Sequence, residues 1–393
     1  MRSFRKILAL ISGIAVAAQA VGQTPDNQNG NGAGRLMTWP DLLERPRPAP
    51  TATVHYGPDP LQVVDVWVPA GPGPHPTAIM VHGGCWQTEV ADRTIMNWAA
   101  DDLRRRGIAV WNIDYRGVDR PGGGYPGTFQ DVAAAADALR ANAAHFNLRT
   151  GNLVAIGHSA GGHLALWLGA RTYANQRPRT LTIKTSIATP GAERAAAAAD
   201  RLLSALREMP GAGQQVSEAS DTEASALAVF PTHAAAIAAI ADARREASRL
   251  GFPDATVEVG APLPPGSPLF ADDPIDIDKA ISLGGLQDLE LAAQPPGSGC
   301  GTEIIARLTG GHFTDTSLPR IAPLAIEQVL INGRQDRIIP VHFATSYAEK
   351  VAAVGDYADV HFIDRTGHVE LIAPGTEAWE AAVAEIEMGL WLR

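Results

Sequence analysis

Beyond about residue 53 two kinds of pattern alternate along the chain. Short runs dominated by apolar residues occur at Thr53–Tyr56, Val63–Val68, Ala78–His82, Ile108–Asp114 and Leu153–His158. Several are continuously apolar, as expected of strands buried on both faces of a sheet. Between them, Thr94–Arg106, Thr128–Asn142 and Ala160–Arg171 carry helical patterns. Strand and helix in strict alternation predict an α/β fold with right-handed crossovers and a mostly parallel sheet. The alternation stops near residue 180 and resumes with strands Lys279–Leu283, Gln328–Asn332 and Asp359–Ile363 and helices His342–Val354 and Glu377–Leu390.

The intervening residues 180–262 differ. Gly191–Met209 and His233–Leu250 are alanine-rich and helical in propensity. Pro210-Gly211 stops the first and Gly251 the second. Thr180–Ala188 and Thr256–Val259 alternate apolar and polar positions like a strand pair. The pattern predicts a helical cap inserted at 180–262 into a domain spanning 51–393, built as a helical hairpin on a two-stranded stem. The alternative makes Leu181–Ile187 a further strand of the main sheet.

The first twenty residues follow neither pattern. Arg2, Arg5 and Lys6 precede an apolar run, Ile7–Ala18, too short to span a bilayer comfortably, and Ala18-Gln19-Ala20 has the small-x-small form of a cleavage site. A signal peptide over residues 1–20 and export to periplasm or medium are predicted. Residues 22–35 are rich in Gly, Asn and Gln and prolines cluster up to residue 50, which predicts a flexible tether and lead-in over 21–50. With 46% hydrophobic and 19% charged residues among 393, a disordered or fibrous chain is excluded. The formal charge of −10 becomes −13 once the leader's three cations are removed, which argues against nucleic acid as a partner. No later stretch is long and apolar enough to cross a membrane, so no membrane association is expected after cleavage. Oligomeric state is not legible.

The chemistry gathers at strand ends. Gly157-His158-Ser159-Ala160-Gly161 is a G-x-S-x-G pattern between an apolar strand and a helix. A serine hydroxyl needs a base beside it and a sharp turn to project it, and flanking glycines relieve the crowding at such a turn. His82-Gly83-Gly84-Cys85-Trp86 follows the strand Ala78–Val81. Acyl transfer needs several backbone donors at its oxyanion, and the N–H groups of Gly83, Gly84 and Ala160 are the candidates.

The fold expected for such an elbow supplies its acid and then its base further along the chain. Asp336 lies in the loop after the strand Gln328–Asn332, and His368 in the loop after Val360–Ile363. Of eleven histidines, only His368 has both the right order and the right loop. Asp336 would fix its tautomer and orientation. The scheme calls for no metal and no organic cofactor. No H-E-x-x-H motif exists, and the H-x-E of His368-Val369-Glu370 has no P-C-x-x-C partner, so a zinc enzyme is not indicated. Cys85 and Trp86 stand where a substrate-binding wall is expected, although Trp86 also suits a core position. Cys85 and Cys300 are read as two buried thiols; an oxidising compartment would permit a bond between them.

Taken together, these motifs resemble the α/β-hydrolase superfamily, specifically its esterase and kynurenine-formamidase-like branch. The matching residues are His82–Trp86, Asp114-Tyr115-Arg116-Gly117 with Tyr125-Pro126-Gly127-Thr128, Gly157–Gly162, Asp336 and His368. The resemblance covers about 53–179 and 263–393. It implies an eight-stranded, mostly parallel sheet with helices on both faces and hydrolysis of a small-molecule carboxylic ester through an acyl-enzyme. The other readings are an arylformamidase or small-amide hydrolase, a serine peptidase, and a non-catalytic binding protein. Residues 180–262 depart from the branch, which leaves the substrate class open.

Overall fold

The computed structural model describes residues 35–176, 179–188, 190–207, 209–210, 212–213, 215–230, 233–260, 267–269 and 273–391. The signal-peptide expectation for 1–20 therefore lies outside the described residues. The strands in chain order are β1 (Ala52–His55), β2 (Val63–Trp67), β3 (Thr77–Val81), β4 (Ala109–Ile113), β5 (Val154–His158) and β6 (Arg179–Ser186), followed by β7 (Gln215–Ala219), β8 (Glu223–Phe230), β9 (Thr256–Gly260), β10 (Lys279–Leu283), β11 (Glu327–Gly333) and β12 (Asp359–Ile363). The principal helices are α1 (Trp39–Leu43), α2 (Asn97–Arg105), α3 (Gly127–Phe146), α4 (Ala160–Gln176), α5 (Ala192–Arg207), α6 (His233–Arg249) and α7 (Glu377–Trp391). None of the described helices is long and apolar enough to cross a membrane. The chain divides into two compact units, one formed by residues up to 172 with 267–269 and those from 273 onward, the other within 173–266.

The first unit holds one sheet ordered β1-β2-β4-β3-β5-β10-β11-β12. β2 runs antiparallel to β1 and β4, and every other pairing is parallel. Its central strands β3, β4, β5 and β10 are buried at every position, whereas β1 and β12 at the edges are half-buried or exposed. The continuous apolar runs thus mark the centre of the sheet, because helices cover both of its faces. On one face Met80, Val110, Ile156, Ile281 and Ile331 pack with Leu103 of α2 and Trp379, Val383 and Ile386 of α7. On the other, the Trp111 indole N–H donates to the Ala135 carbonyl of α3 at 2.7 Å, and α4 passes over Ser282. All eight expected strands are present, and all join this sheet.

Of the expected tether and lead-in over 21–50, residues 21–34 lie outside the described residues, and the lead-in over 35–50 is anchored to the first unit. Thr38 and Asp41 form a reciprocal capping box that starts α1, and Trp39 and Leu42 are buried. The Trp98 indole donates to the Pro46 carbonyl and Asn97 to that of Pro48, which ties the proline-rich stretch to α2.

The second unit also corrects the expectation. It is a four-stranded antiparallel sheet ordered β7-β8-β6-β9, with α5 and α6 on one face. The β-α-β-β-α-β order is that of ferredoxin-like folds. The described part of 180–262 therefore carries a full sheet beside its two helices, and β6 pairs with β8 and β9, with no place in the main sheet. β7 and β8 escaped notice because the inward positions of β8 are Ala224, Ala226, Ala228 and Phe230. Alanines inside and Leu227 and Val229 outside flatten the alternation that marks a strand.

Candidate active site

Parallel strands end at one edge, and the loops after β3, β5, β10, β11 and β12 all leave the sheet there. Register places Val81 beside Gly157 and Leu283 beside His158. Ser159 follows as the turn between β5 and α4, with a left-handed backbone (φ 55°) and its N–H bonded to the Leu283 carbonyl at 2.8 Å. Such a conformation is strained for a non-glycine residue, and strain of this kind collects at functional sites. The flanking glycines are obligatory: a Cβ on Gly157 would lie 1.9 Å from the Gly161 carbonyl oxygen, and one on Gly161 2.2 Å from that of Val81.

The loop after β3 comes equally close. A Cβ on Gly83 would sit 3.0 Å from that of Ser159. Gly84, Cys85 and Trp86 are all left-handed (φ 108°, 52° and 53°). Among the described residues, the N–H groups of Gly83, Gly84 and Ala160 donate to no protein acceptor. The base of the loop is held by a buried polar network. The His82 ring lies 2.6 Å from the Gly83 carbonyl oxygen through Nδ1 and 3.1 Å from Asp114 through Nε2, and stacks on Tyr115 at 4.3 Å. Arg93 bridges Asp114 and Asp65, each at 2.8 Å.

Cys85 is half of a disulfide with Cys300, which overturns the expectation of two free thiols and ties up the sulfur assigned to a substrate wall. Trp86 is fully buried, with its ring edge-on to His163 at 5.7 Å. Of its two readings, the core position is the one observed.

His368 and Asp336 meet as the sequence suggests. The His368 Nδ1–H donates to Asp336 Oδ2 at 2.6 Å, and Asp336 Oδ1 accepts the N–H groups of Ile338 and Ile339 at 2.8 and 2.9 Å. Both carboxylate oxygens are thereby committed, and the imidazole Nε2 is left as the ring's proton acceptor. His158, next to Ser159, lies with its ring 4.4 Å from that of His368 and pairs through Nε2 with the His368 carbonyl at 3.0 Å. Burial, reinforced by the neighbouring His368, pushes the His158 pKa well down. A neutral His158 donates that hydrogen bond and so holds the His368 backbone. His163, one turn into α4, is pushed down to about 4 by burial and bonds the Thr316 carbonyl. Of the residues singled out from sequence, Ser159, Gly83, Gly84, Ala160, Asp336 and His368 come together at this edge. His158, read from sequence only as part of the elbow, and Glu370, read only as part of an H-x-E pattern, also lie there, as does Trp39, which was not singled out because nothing local distinguishes a packed tryptophan.

A family model described as BD-FAE matches residues 64–196, about a third of the chain, including the His82–Trp86 loop and the elbow. Esterase LipC of Mycobacterium tuberculosis is 36% identical over 121 residues, which is 30% of this chain and 28% of LipC. The chain thus aligns with less than a third of that relative. Esterase B from Lactobacillus rhamnosis has a TM-score of 0.56 at 14% identity, covering 99% of this chain and 95% of its own. A truncated carbohydrate esterase from gut microbiota gives 0.51 at 16% identity, covering 87% of this chain and 97% of its own. At such identities the likeness concerns the fold, and the chain has the α/β-hydrolase fold.

Proposed function

We propose that the protein is an exported serine hydrolase that cleaves a carboxylic ester of a small molecule through Ser159, His368 and Asp336. The observation that carries this is the oriented His368–Asp336 pair, at 2.6 Å, placed beside a strained serine elbow. The esterases similar in sequence and fold support the same reaction class. His368 Nε2 takes the Ser159 proton as the oxygen attacks the carbonyl. The N–H groups of Gly83, Gly84 and Ala160 hold the oxyanion, and Asp336 stabilises the imidazolium. His368 then protonates the leaving alcohol, and water hydrolyses the acyl-enzyme by the reverse sequence. The Cys85–Cys300 disulfide supports export, because such bonds persist in oxidising compartments.

Purified protein is expected to cleave short-chain nitrophenyl esters, and Ser159→Ala to abolish turnover with its thermal unfolding unchanged. Undiminished turnover in that variant overturns the assignment. Comparing a short ester, an acylated carbohydrate and an N-formyl aromatic amine ranks the substrate classes; fastest turnover of the formamide would move the protein to amide hydrolysis. Sequencing the amino terminus of the exported product tests cleavage after residue 20.

A further inference from the structure

We propose that the lead-in segment Arg35–Arg45 is a working part of this site, with Trp39 and Glu370 as positioning residues that hold the His368 loop against the serine elbow. The inference rests on the reading of Ser159, His368 and Asp336 given above.

His368 leaves β12 on an irregular loop, so no helix or strand ladder fixes its backbone. Glu370 does so. Its carboxylate accepts the Gly367 N–H through Oε2 at 3.1 Å and the Met37 N–H through Oε1 at 2.5 Å, bridging the residue before His368 to the lead-in. Glu370 is only 6% exposed, and among the described residues no cation is paired with it. A carboxylate taken out of water against backbone donors alone is costly unless those bonds are well made. The H-x-E motif thus sets its carboxylate on two backbone amides.

Trp39 acts on the rings. Its indole lies 6.1 Å from the His158 imidazole and 6.4 Å from that of His368, edge-on to both at 76° and 77°. One side chain therefore bounds the base and the residue that holds the base's backbone. Trp39 is 8% exposed, and so closes this flank of the imidazole pair to water. The segment is itself anchored by the Thr38–Asp41 capping box and by Arg45, which donates to the Pro374 carbonyl at 3.3 Å. Leu42 lies in the apolar cluster that includes Leu371 and Ile372. Leu103 of α2 lies in the same cluster but outside this lead-in strap, and makes none of its ring contacts or Glu370 hydrogen bonds, which separates core packing from positioning.

The test is the rate at which a fluorophosphonate labels Ser159, a step that needs the His368 base but no particular ester, together with kcat and KM on a nitrophenyl ester. Trp39→Ala and Glu370→Gln are expected to slow labelling and kcat by about tenfold or more, with KM within about twofold, because a small misplacement of a base is felt in the chemical step. Trp39→Phe should recover most of the rate. Leu103→Ala should melt earlier yet label at the wild-type rate. Wild-type labelling in both Trp39→Ala and Glu370→Gln overturns the proposal, as does a loss in all variants that merely follows their melting temperatures. If Trp39→Ala fails to fold, Glu370→Gln, nearly identical in size and shape, decides alone. A wild-type protein that takes no label overturns the serine-hydrolase reading and the strap's role with it, whereas a labelled wild type with unaffected variants overturns only the strap.

Discussion

Cys85 and Cys300 are 215 residues apart in sequence and joined by a disulfide whose first half lies in the loop assigned to the oxyanion. The perturbation is the double replacement Cys85→Ser/Cys300→Ser. Closing a loop of that length removes about 5 kcal/mol of chain entropy from the unfolded state at 25 °C. This is an upper value, because the loop contains the whole second unit, which has its own core and shortens the free chain wherever it stays folded. A loss of about 2–5 kcal/mol is therefore expected in urea unfolding followed by tryptophan fluorescence. Turnover should change for a different reason. Cys85 and Trp86 hold left-handed backbone that non-glycine residues adopt only under constraint. On the far side, Cys300 stands in a loop whose Gly299 N–H bonds the Ile338 carbonyl at 2.8 Å, beside the amides that hold Asp336. Without the bond, the loop relaxes away from Ser159. Removing one oxyanion donor outright costs about 100- to 1,000-fold in kcat, so a loosened donor should cost about tenfold, with KM little changed. A double variant that unfolds at the wild-type urea midpoint and keeps the wild-type kcat would refute both halves of this reasoning.

Three further outcomes are expected. In Asp336→Asn the two backbone amides of Ile338 and Ile339 will draw the side-chain oxygen, turning the NH2 toward His368 Nδ1 and imposing the tautomer that cannot act as base; kcat should fall by about 1,000- to 10,000-fold with folding intact, and a loss below tenfold would argue against the triad. His163 is held near 4 in the folded protein against 6.5 unfolded, so the unfolded chain binds the extra proton as pH drops below 6.5 and stability falls until pH 4; its share is about 2 kcal/mol at pH 5, His158 acts in the same direction, and a melting temperature flat from pH 7.5 to 4.5 would contradict this. Residues 173–266 expressed alone should fold, since their sheet and two helices bury a separate apolar cluster; a fragment without a cooperative thermal transition by circular dichroism would show that the second unit depends on the first.

Most of the first unit was legible from local pattern. Strands buried on both faces must be apolar throughout, so β3, β4, β5 and β10 are conspicuous, and parallel topology then carries the ends of β3, β5, β11 and β12 to one edge. Ser159, Gly83, Asp336 and His368 could be placed at that edge because a turn of special backbone or a fixed place after a strand is written in adjacent residues. The second unit was half legible: its helices showed in their alanines and stop signals, while β8 did not, because alanine serves equally well inside a helix-covered sheet and on a helix.

By itself, then, the sequence determined the order of elements in the first unit, the parallel core and the places of Ser159, Asp336 and His368 after their strands, all of which follow from residues near one another along the chain. Only the tertiary structure decided that Cys85 meets Cys300, that Trp86 is packed away, that Trp39 lies against two imidazoles and that Glu370 bridges residues 37 and 367. Each is a contact between distant segments. The free energy of such a contact depends on which surfaces the fold brings together and buries, and no local periodicity records that.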